Sequence, residues 1–258
     1  MMRMKKDQNT LAHINLNAVI KSIVHLYELD EEVKELVGNR NLAIQFLVRN
    51  GPSGLLKFED GKCIFMDGRH KNNVLLFFTS PIHFNKMVDG KSNPIPLKGF
   101  IKLGFLTKEF NTITKKLEYY LRPTRDLLEN ENYAKINTIL TFYTAFNALC
   151  QVANTDEVGK YTAKRLSDGN ALATIGTFEK LYIEVKNHTL KAHIGEPEKV
   201  HARMEFADYE TASGMLNDTL DAYSCIGSKK LKLSGYIPLL EDLNALLYQT
   251  SMYLKEDT

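Results

Sequence analysis

Tryptophan is absent from this chain of 258 residues, cysteine occurs three times, and no apolar run is as long as a membrane span. A transmembrane helix needs about 20 apolar residues, so none is predicted. The basic N-terminus, MMRMKKDQNT, is followed by no apolar stretch and does not resemble a signal peptide. Cys63, Cys150 and Cys225 have no CxxC spacing, which favours free thiols over disulfides or a zinc motif. These absences together predict a cytoplasmic protein.

Strong net charge and catalytic motifs are missing too. The net charge is only +2, so neither a nucleic acid nor an anionic membrane is required as a partner. The 12 tyrosines and 13 phenylalanines fall at apolar phases of helices and strands, which argues against nucleic-acid binding. The sequence has no GxSxG or HExxH motif, and its NGPSG run lies in a predicted hairpin without a helix to receive a phosphate. We therefore predict no enzyme activity, no catalytic residues and no cofactor.

One group of polar residues has metal-binding chemistry. His193 and His201 are predicted on the polar faces of adjacent strands, with Glu205 farther along the same face. Cross-strand neighbours approach to about 5 Å, so such side chains could share an ion. Two histidines do not complete a zinc site, however, and a solvated polar face explains the same pattern. No metal site is predicted.

The chain does contain an internal repeat. Phe78 and Phe206 lie 128 positions apart, while Gly104 and Gly235 lie 131 apart, which predicts a short insertion in the second copy. A repeat of this length indicates two similar domains rather than a small repeating module. Pro123 cannot continue the preceding helix and marks a boundary. The predicted organisation is domain 1 at residues 1–122, a linker at 123–132 and domain 2 at 133–258.

Each half has the same predicted order of elements. Amphipathic helices come first, then a β-meander, then a short helix capped by Ser80 in the first half and by Asp208 in the second. An apolar strand at residues 100–103 or 231–233 follows, and a last amphipathic helix closes each half. The alternation at residues 201–206 predicts a sheet with one buried and one solvated face.

These segments resemble one known family. The segments are FEDGKCIFMDG, VLLFFTSPIHFNKMVDG and IKLGFLTKEF in the first half, and IEVKNHTLKAHIG, ARMEFADYETASGMLND and LKLSGYIPLLEDL in the second. Their order is similar to that of the sterol carrier protein 2 (SCP-2) family. Two departures are the turn Lys186-Asn187-His188 in place of Asp-Gly, and the lack of a long glycine-rich segment before either last strand. The resemblance implies an α+β fold of two tandem SCP-2-like domains, each a mixed, mainly antiparallel sheet covered on one face by helices.

The resemblance also implies a function. Proteins of this family hold an apolar tunnel between sheet and helices, so we expect non-catalytic binding of a lipid or other hydrophobic small molecule, of fatty acyl, sterol-like or prenyl type. The closing helix of each half would gate access. The candidate lining residues are Met87, Val88, Leu103, Phe105, Leu106, Phe110, Ile113, Met215, Leu216, Leu233, Tyr236, Ile237, Leu240 and Leu243. For each of these residues taken singly, packing in a closed core is the simpler interpretation.

Two alternatives stay open at the level of sequence. In one, large side chains such as Phe105, Phe110 and Tyr236 close the tunnels, and the duplicated fold presents a surface to a protein partner. In the other, the pairs Lys115-Lys116 and Lys229-Lys230, otherwise ordinary solvated charges, contact lipid headgroups in peripheral membrane binding. The usage of lysine, asparagine and isoleucine suggests a bacterial source.

Overall fold

The computed structural model describes residues 6–255, apart from the side chain of Leu103, and the chain divides into two compact units. Unit 1 comprises residues 1–122 and unit 2 comprises residues 123–258. Each unit contains helices and one five-stranded mixed sheet, so the chain is an α+β protein. Within the described residues, no helix is long and apolar enough to cross a membrane.

The described part of unit 1 has helices on both sides of its strands in the sequence. Its helices are α1 (Gln8–Ile14), α2 (Ile23–Leu29), α3 (Glu31–Val37), α4 (Pro81–Val88), α5 (Leu103–Thr107) and α6 (Glu109–Leu121). Its strands are β1 (Leu42–Val48), β2 (Ser53–Glu59), β3 (Lys62–Asp67), β4 (Val74–Phe78) and β5 (Ile95–Lys98). A π-helical turn, Asn15–Val19, and a 3-10 turn, Ile20–Ser22, join α1 to α2. A second 3-10 turn, Phe100–Lys102, precedes α5.

Unit 2 follows a similar plan. Its helices are α7 (Arg125–Leu128), α8 (Glu131–Thr155), α9 (Glu157–Ala163), α10 (Tyr209–Leu216), α11 (Ala222–Gly227) and α12 (Ile237–Leu254). Its strands are β6 (Gly169–Ile175), β7 (Glu179–Lys186), β8 (Thr189–Ile194), β9 (Ala202–Phe206) and β10 (Leu231–Gly235).

The two sheets share one topology. The strand order is β3-β2-β1-β4-β5 in unit 1 and β8-β7-β6-β9-β10 in unit 2. In each sheet the central pair is parallel and the other neighbours are antiparallel. Val48 lies opposite Phe78, and Ile175 lies opposite Phe206. Phe78 and Phe206, which are 128 positions apart in the sequence, therefore lie at equivalent ends of β4 and β9.

The short helices that follow β4 and β9 begin at their predicted caps. The Ser80 hydroxyl accepts a hydrogen bond from the His83 backbone N–H at 3.2 Å. Pro81 occupies the first turn of α4, where its missing N–H has no helical partner to lose. The Asp208 carboxylate accepts from the Thr211 N–H at 2.8 Å, and this bond holds the pKa of Asp208 below its ordinary value.

The hairpins β2–β3 and β7–β8 each turn through two consecutive residues with positive φ. In unit 1 these are Asp60 (φ 51°) and Gly61 (φ 70°), and in unit 2 they are Asn187 (φ 49°) and His188 (φ 61°). Two left-handed residues in succession form a type I′ turn, which matches the twist of the flanking strands. The Lys186-Asn187-His188 sequence thus departs from the family pattern in residue type but keeps the turn.

The last strand of unit 1 does not lie where the sequence analysis placed it. Residues 100–103 form a 3-10 turn and the start of α5, whereas the strand is Ile95–Lys98. The sequence pattern did not predict this strand because it contains Pro96, and proline cannot donate a hydrogen bond to a neighbouring strand. It is tolerated here because β5 is an edge strand.

The glycine equivalent to Gly235 is consequently Gly99 rather than Gly104. Gly99 has φ of 90° and Gly235 has φ of 84°. A Cβ atom would lie 2.7 Å from the Asn73 carbonyl oxygen at Gly99, and 2.3 Å from the His201 carbonyl oxygen at Gly235. Asn73 and His201 are 128 positions apart, but the two glycines are 136 apart. The insertion in unit 2 is therefore eight residues long, and α11 lies within it.

The segment predicted as a linker, residues 123–132, is partly helical. It contains α7, and α8 begins at Glu131. The Asn130 side chain accepts from the Tyr133 N–H at 2.9 Å and so caps α8. The asparagine-rich composition that suggested a solvated connection thus supplies a helix cap.

Candidate functional site

Phenylalanine rings fill the space between the sheet and the helices of unit 1. The ring of Phe46 on β1 lies 6.4 Å from that of Phe84 on α4 and 6.5 Å from that of Phe110 on α6. Phe84 packs edge-on against Phe78 at 4.9 Å, and Phe110 lies 6.4 Å from Phe105. All five rings are buried. This aromatic cluster occupies the position at which the sequence resemblance implied a tunnel.

A cleft of about 340 Å³ lies beside the Phe105 edge of this cluster. We call it the unit 1 cleft. Its lining residues are Arg40, Asn41, Leu42, Ile101, Lys102, Phe105 and Glu109. They come from the loop between α3 and β1, the start of β1, the 3-10 turn before α5, α5 itself and the first turn of α6. The volume is at the lower end of the range for small-molecule sites, about 300–1,000 Å³.

The unit 1 cleft combines apolar surface with an ion pair. Leu42 and Phe105 are buried, whereas Ile101 is fully exposed. The Arg40 guanidinium carbon lies 5.3 Å from the centre of the Phe105 ring, a cation–π arrangement. Its Nη2 lies 3.3 Å from Glu109 Oε1. A cation is therefore held against the aromatic wall of the cleft.

Lys102 and Glu109 can each form further hydrogen bonds in the cleft. Lys102 Nζ donates to the Asn41 carbonyl oxygen at 2.8 Å, and an ammonium group can donate two more bonds. Glu109 Oε2 is buried and has no hydrogen-bond partner among the residues that the structure describes. The cleft can thus bind an apolar group and, beside it, a polar group that accepts or donates hydrogen bonds.

The closing helix of unit 1 is broken at this cleft. α5 ends at Thr107 and α6 begins at Glu109, and Lys108 between them has φ of −109° and ψ of −78°. Phe105 lines the cleft from one side of the break and Glu109 lines it from the other. In unit 2 the corresponding part of the chain is one uninterrupted helix, α12.

A buried aspartate anchors the closing helix of unit 1. Asp30 Oδ1 accepts from the Val33 N–H at 3.2 Å and caps α3, while Oδ2 accepts from Lys116 Nζ at 2.8 Å and from the Tyr120 hydroxyl at 3.4 Å. Burial lowers the pKa of Lys116, but hydrogen bonds to Asp30 and Glu32 outweigh it and keep that pKa above its ordinary value. The anchor of α6 is therefore an ion pair.

Unit 2 repeats this anchor with neutral donors. Asp156 Oδ1 accepts from the backbone N–H groups of Val158 and Gly159, both at 2.9 Å, and caps α9. Gln249 Nε2 donates to the same oxygen, and the Tyr253 hydroxyl donates to Oδ2 at 2.7 Å. Gln249 and Tyr253 lie one turn apart on α12, just as Lys116 and Tyr120 lie one turn apart on α6.

A second contact of the closing helix also recurs. Arg165, which follows α9, binds Asp242 of α12, just as Arg40, which follows α3, binds Glu109 of α6. In unit 2, however, α12 begins two residues after Gly235. The 3-10 turn and the helix break that line the unit 1 cleft therefore have no counterpart in the described part of unit 2.

The fourteen residues proposed from the sequence, seven in each half, differ in their exposure. Those buried in the core are Phe105, Phe110, Ile113, Leu240 and Leu243. Those that are half-buried are Met87, Val88, Leu106, Met215, Leu216 and Leu233. Tyr236 and Ile237 are exposed, so Tyr236 does not fill a cavity as the closed-tunnel alternative expected. The side chain of Leu103 lies outside the described residues, and Phe105 is the member of the set that lines the unit 1 cleft.

The sequence analysis missed the other cleft residues for an identifiable reason. Ile101 and Lys102 were assigned to a strand, which would have turned successive side chains to opposite faces. The available signal was the stretch KGFIKLGFLTK, which contains three lysines and no acid. Arg40 and Glu109 carried no local signal, because they are 69 positions apart and meet only in the folded unit.

The histidines do not assemble a metal site. β8 and β9 are separated by β7 and β6, so His193 and His201 are not on adjacent strands as predicted. His193 stacks on Tyr182, with ring centres 4.8 Å apart, and His201 Nδ1 accepts from the Asn170 N–H at 3.0 Å. The described residues contain no group of three or more His, Cys, Asp or Glu side chains placed to hold a metal ion.

Solved structures similar to part of the chain include SCP2 domains. A UbiJ-SCP2 ubiquinone synthesis protein is 15% identical, with a TM-score of 0.32, over 40% of this chain and 84% of that chain. Apo sterol carrier protein 2 from Yarrowia lipolytica is 13% identical, with a TM-score of 0.32, over 39% of this chain and 91% of that one. The sterol carrier protein domain 2 of Helicoverpa armigera is 14% identical, with a TM-score of 0.36, over 46% and 92% respectively. No protein-family model and no curated protein matches the sequence.

Proposed function

We propose that unit 1 binds the apolar part of an amphipathic small molecule, without catalysis, in the unit 1 cleft. The observation that carries this proposal is the lining of the cleft, where Leu42, Ile101 and Phe105 lie beside the cations of Arg40 and Lys102. Such a lining suits a hydrocarbon chain that carries one polar or anionic end, as lipids do. The resemblance of both halves to SCP-2 segments supports the same class of ligand and two tandem domains of that type.

Binding of a long chain requires more apolar surface than the cleft alone provides. Each buried methylene contributes about 0.8 kcal/mol, and micromolar affinity corresponds to about 8 kcal/mol. About ten methylenes must therefore be buried, which extends the ligand into the aromatic cluster. We infer that α5 moves about the break at Lys108, carries Phe105 away from Phe110, and opens that route.

A second candidate is a protein-interaction module with a permanently closed core. The aromatic cluster favours it, because Phe46, Phe78 and Phe84 are buried and pack against one another between the sheet and the helices. In this case the unit 1 cleft would be a surface feature without a ligand. The two candidates differ in whether an added lipid binds at the cleft.

The test fills the cleft without disturbing the core. Asn41 is an exposed cleft residue, so Asn41→Trp blocks the cleft while the backbone carbonyl that binds Lys102 remains. The matched control is Asp168→Trp, which alters the exposed residue just before β6, as Asn41 is the residue just before β1. Both variants and the unaltered chain are titrated with a fluorescent long-chain fatty acid and with the corresponding fatty alcohol.

We expect the unaltered chain and Asp168→Trp to bind the probe with equal affinity, and Asn41→Trp to lose at least tenfold. Thermal unfolding of the three proteins shows whether the variants remain folded. Absence of binding to the unaltered chain would favour the interaction module. Equal binding by both variants would move the site away from the unit 1 cleft.

A further inference from the structure

We propose that the segment at residues 91–108 of unit 1, called here the basic apolar segment, docks onto an anionic lipid bilayer. The segment reads KSNPIPLKGFIKLGFLTK and contains four lysines and no acidic residue. It includes β5, the 3-10 turn, α5 and the residue at the helix break. The inference concerns a surface of the molecule and does not depend on what the cleft binds.

The tip of the segment exposes large apolar side chains. Phe100 is 63% exposed and Ile101 is fully exposed, and both lie in the 3-10 turn. Ile95 and Leu97 on the edge strand β5 are exposed as well. Exposure of four such side chains within seven residues leaves apolar surface that water solvates poorly, and adjacent apolar exposure of this kind marks interaction sites.

The turn that presents these side chains is fixed from both ends. Lys102 N donates to the Gly99 carbonyl oxygen at 2.8 Å and closes the turn. Lys102 Nζ is tied to the Asn41 carbonyl, and Gly99 lies against the backbone of Val74. Phe100 and Ile101 therefore project from a held backbone, which reduces the conformational entropy lost on insertion into a membrane.

Positive charge surrounds this apolar tip. Lys98 Nζ donates to the Asn72 carbonyl oxygen, which brings the loop between β3 and β4 against the segment. That loop adds the exposed side chains of Arg69 and Lys71. A carbonyl oxygen has no net charge, so these hydrogen bonds do not pair the lysines with an acid.

The acidic groups at the margins are few and mostly engaged. Asp89 pairs with Lys91 at 3.6 Å, and Glu109 pairs with Arg40. Two further acids lie nearby: Asp67, an exposed carboxylate that precedes the loop, and Glu59, which accepts from Asn41 Nδ2 at 3.1 Å and pairs with Lys57. The surface around Phe100 and Ile101 thus has a net positive charge, complementary to an anionic lipid surface, where basic residues attract and aromatic and aliphatic side chains insert.

The position of the segment gives the contact a consequence. Ile101 and Lys102 belong to the rim of the unit 1 cleft as well as to the segment. Docking through this tip would place the mouth of the cleft at the lipid headgroups. A protein that presents this surface to a bilayer can exchange a ligand with it without passing that ligand through water.

The first experiment measures vesicle binding. The full chain is floated with vesicles of equal parts phosphatidylcholine and phosphatidylglycerol, and with vesicles of phosphatidylcholine alone. We expect binding to the mixed vesicles that falls at least tenfold in high salt and is absent with phosphatidylcholine. The double variant Phe100→Ser, Ile101→Ser should lose at least tenfold in affinity, whereas the control double variant Val158→Ser, Ile194→Ser, at exposed apolar sites of unit 2, should bind normally.

The charge and the insertion are tested separately. Arg69→Gln with Lys71→Gln should weaken binding severalfold and reduce its salt dependence, while Lys186→Gln with Lys191→Gln, exposed on β7 and β8, should not. Because the chain has no tryptophan, Phe100→Trp introduces a single reporter whose emission should shift to the blue on vesicle binding. No vesicle binding, equal loss in the control variants, or an unshifted emission would each overturn the proposal.

Discussion

The closing helices of the two units are anchored at the same points but built differently. In unit 1 the aspartate that caps α3, and in unit 2 the aspartate that caps α9, binds two side chains that lie one turn apart on the closing helix. In both units an arginine also binds an acidic residue of the closing helix. In unit 2 the helix is continuous, whereas in unit 1 it is broken at Lys108 and a cleft lies at the break. The anchors hold the closing helix in both units, whereas the break and the cleft beside it occur in unit 1.

The anchors also differ in chemistry. Asp30 is neutralised by Lys116, which has a second carboxylate partner in Glu32 at 2.7 Å. Asp156 is buried and receives four hydrogen bonds, from two backbone amides, Gln249 and Tyr253. We expect the second anchor to depend more strongly on its aspartate than the first.

The largest effect is therefore expected for Asp156→Ala. It removes a helix cap and two side-chain hydrogen bonds to a buried carboxylate, and should destabilise unit 2 by about 4 kcal/mol. Asp30→Ala should cost unit 1 about 2 kcal/mol, because Lys116 keeps Glu32 as a partner. Hydrogen exchange of peptides from α12 and α6 measures each effect separately. Equal costs would remove the distinction between the anchors.

The glycine alignment gives the next prediction. Gly99→Ala and Gly235→Ala should each cost about 3 kcal/mol, since a Cβ atom would strike a backbone carbonyl oxygen at a positive φ. Gly104→Ala should instead stabilise the protein slightly, by about 0.5 kcal/mol, because it lies in α5 with open space around it. Urea denaturation of the three variants measures these costs. A large cost at Gly104 would instead support the sequence-based pairing of Gly104 with Gly235.

Acid should weaken unit 1 through His25. Burial, aided by the charge of Lys21, lowers the pKa of His25 from 6.5 to about 4. The unfolded state therefore binds a proton first as pH falls, so stability is complete above about pH 6.5 and declines toward about pH 4, by up to about 3 kcal/mol. Urea denaturation of the unaltered chain and of His25→Gln, at about pH 7 and about pH 4.5, checks this. An identical loss in the variant would assign it to other groups.

The smallest effect distinguishes the two tyrosines. Tyr253→Phe removes a 2.7 Å hydrogen bond to buried Asp156 and should cost about 1.5 kcal/mol. Tyr120→Phe removes a 3.4 Å contact with Asp30 and should cost about 0.5 kcal/mol or less. Thermal unfolding of the pair, with exchange of α12 and α6 peptides, ranks them. The reverse order would show that the anchor of unit 1 is the tighter one.

Local signals in the sequence predicted most of the fold. The caps at Ser80 and Asp208 were visible because capping depends on neighbouring residues, and the hairpin at Asp60 was visible because its turn has a characteristic sequence. The alternation around Phe206 showed a sheet with one buried face. Strand β5 was missed because Pro96 obscures an edge strand that tolerates it.

The candidate site was much less predictable than the fold. An apolar residue has the same sequence pattern whether it packs in a core or lines a cavity, so Ile113 and Leu243 were proposed as lining and lie buried in the core. The cleft depends instead on a helix break at Lys108 and on the meeting of Arg40 with Glu109. Neither feature follows from local periodicity, because both arise from packing across the unit.

Hydrogen exchange with and without a saturating long-chain fatty acid tests the central claim most directly. The account predicts slower exchange in residues 100–121, which include the 3-10 turn, α5 and α6, and unchanged exchange in α12. It also predicts that Asn41→Trp abolishes this protection. Equal protection of α12, or none in either closing helix, would contradict a ligand site at the break in unit 1.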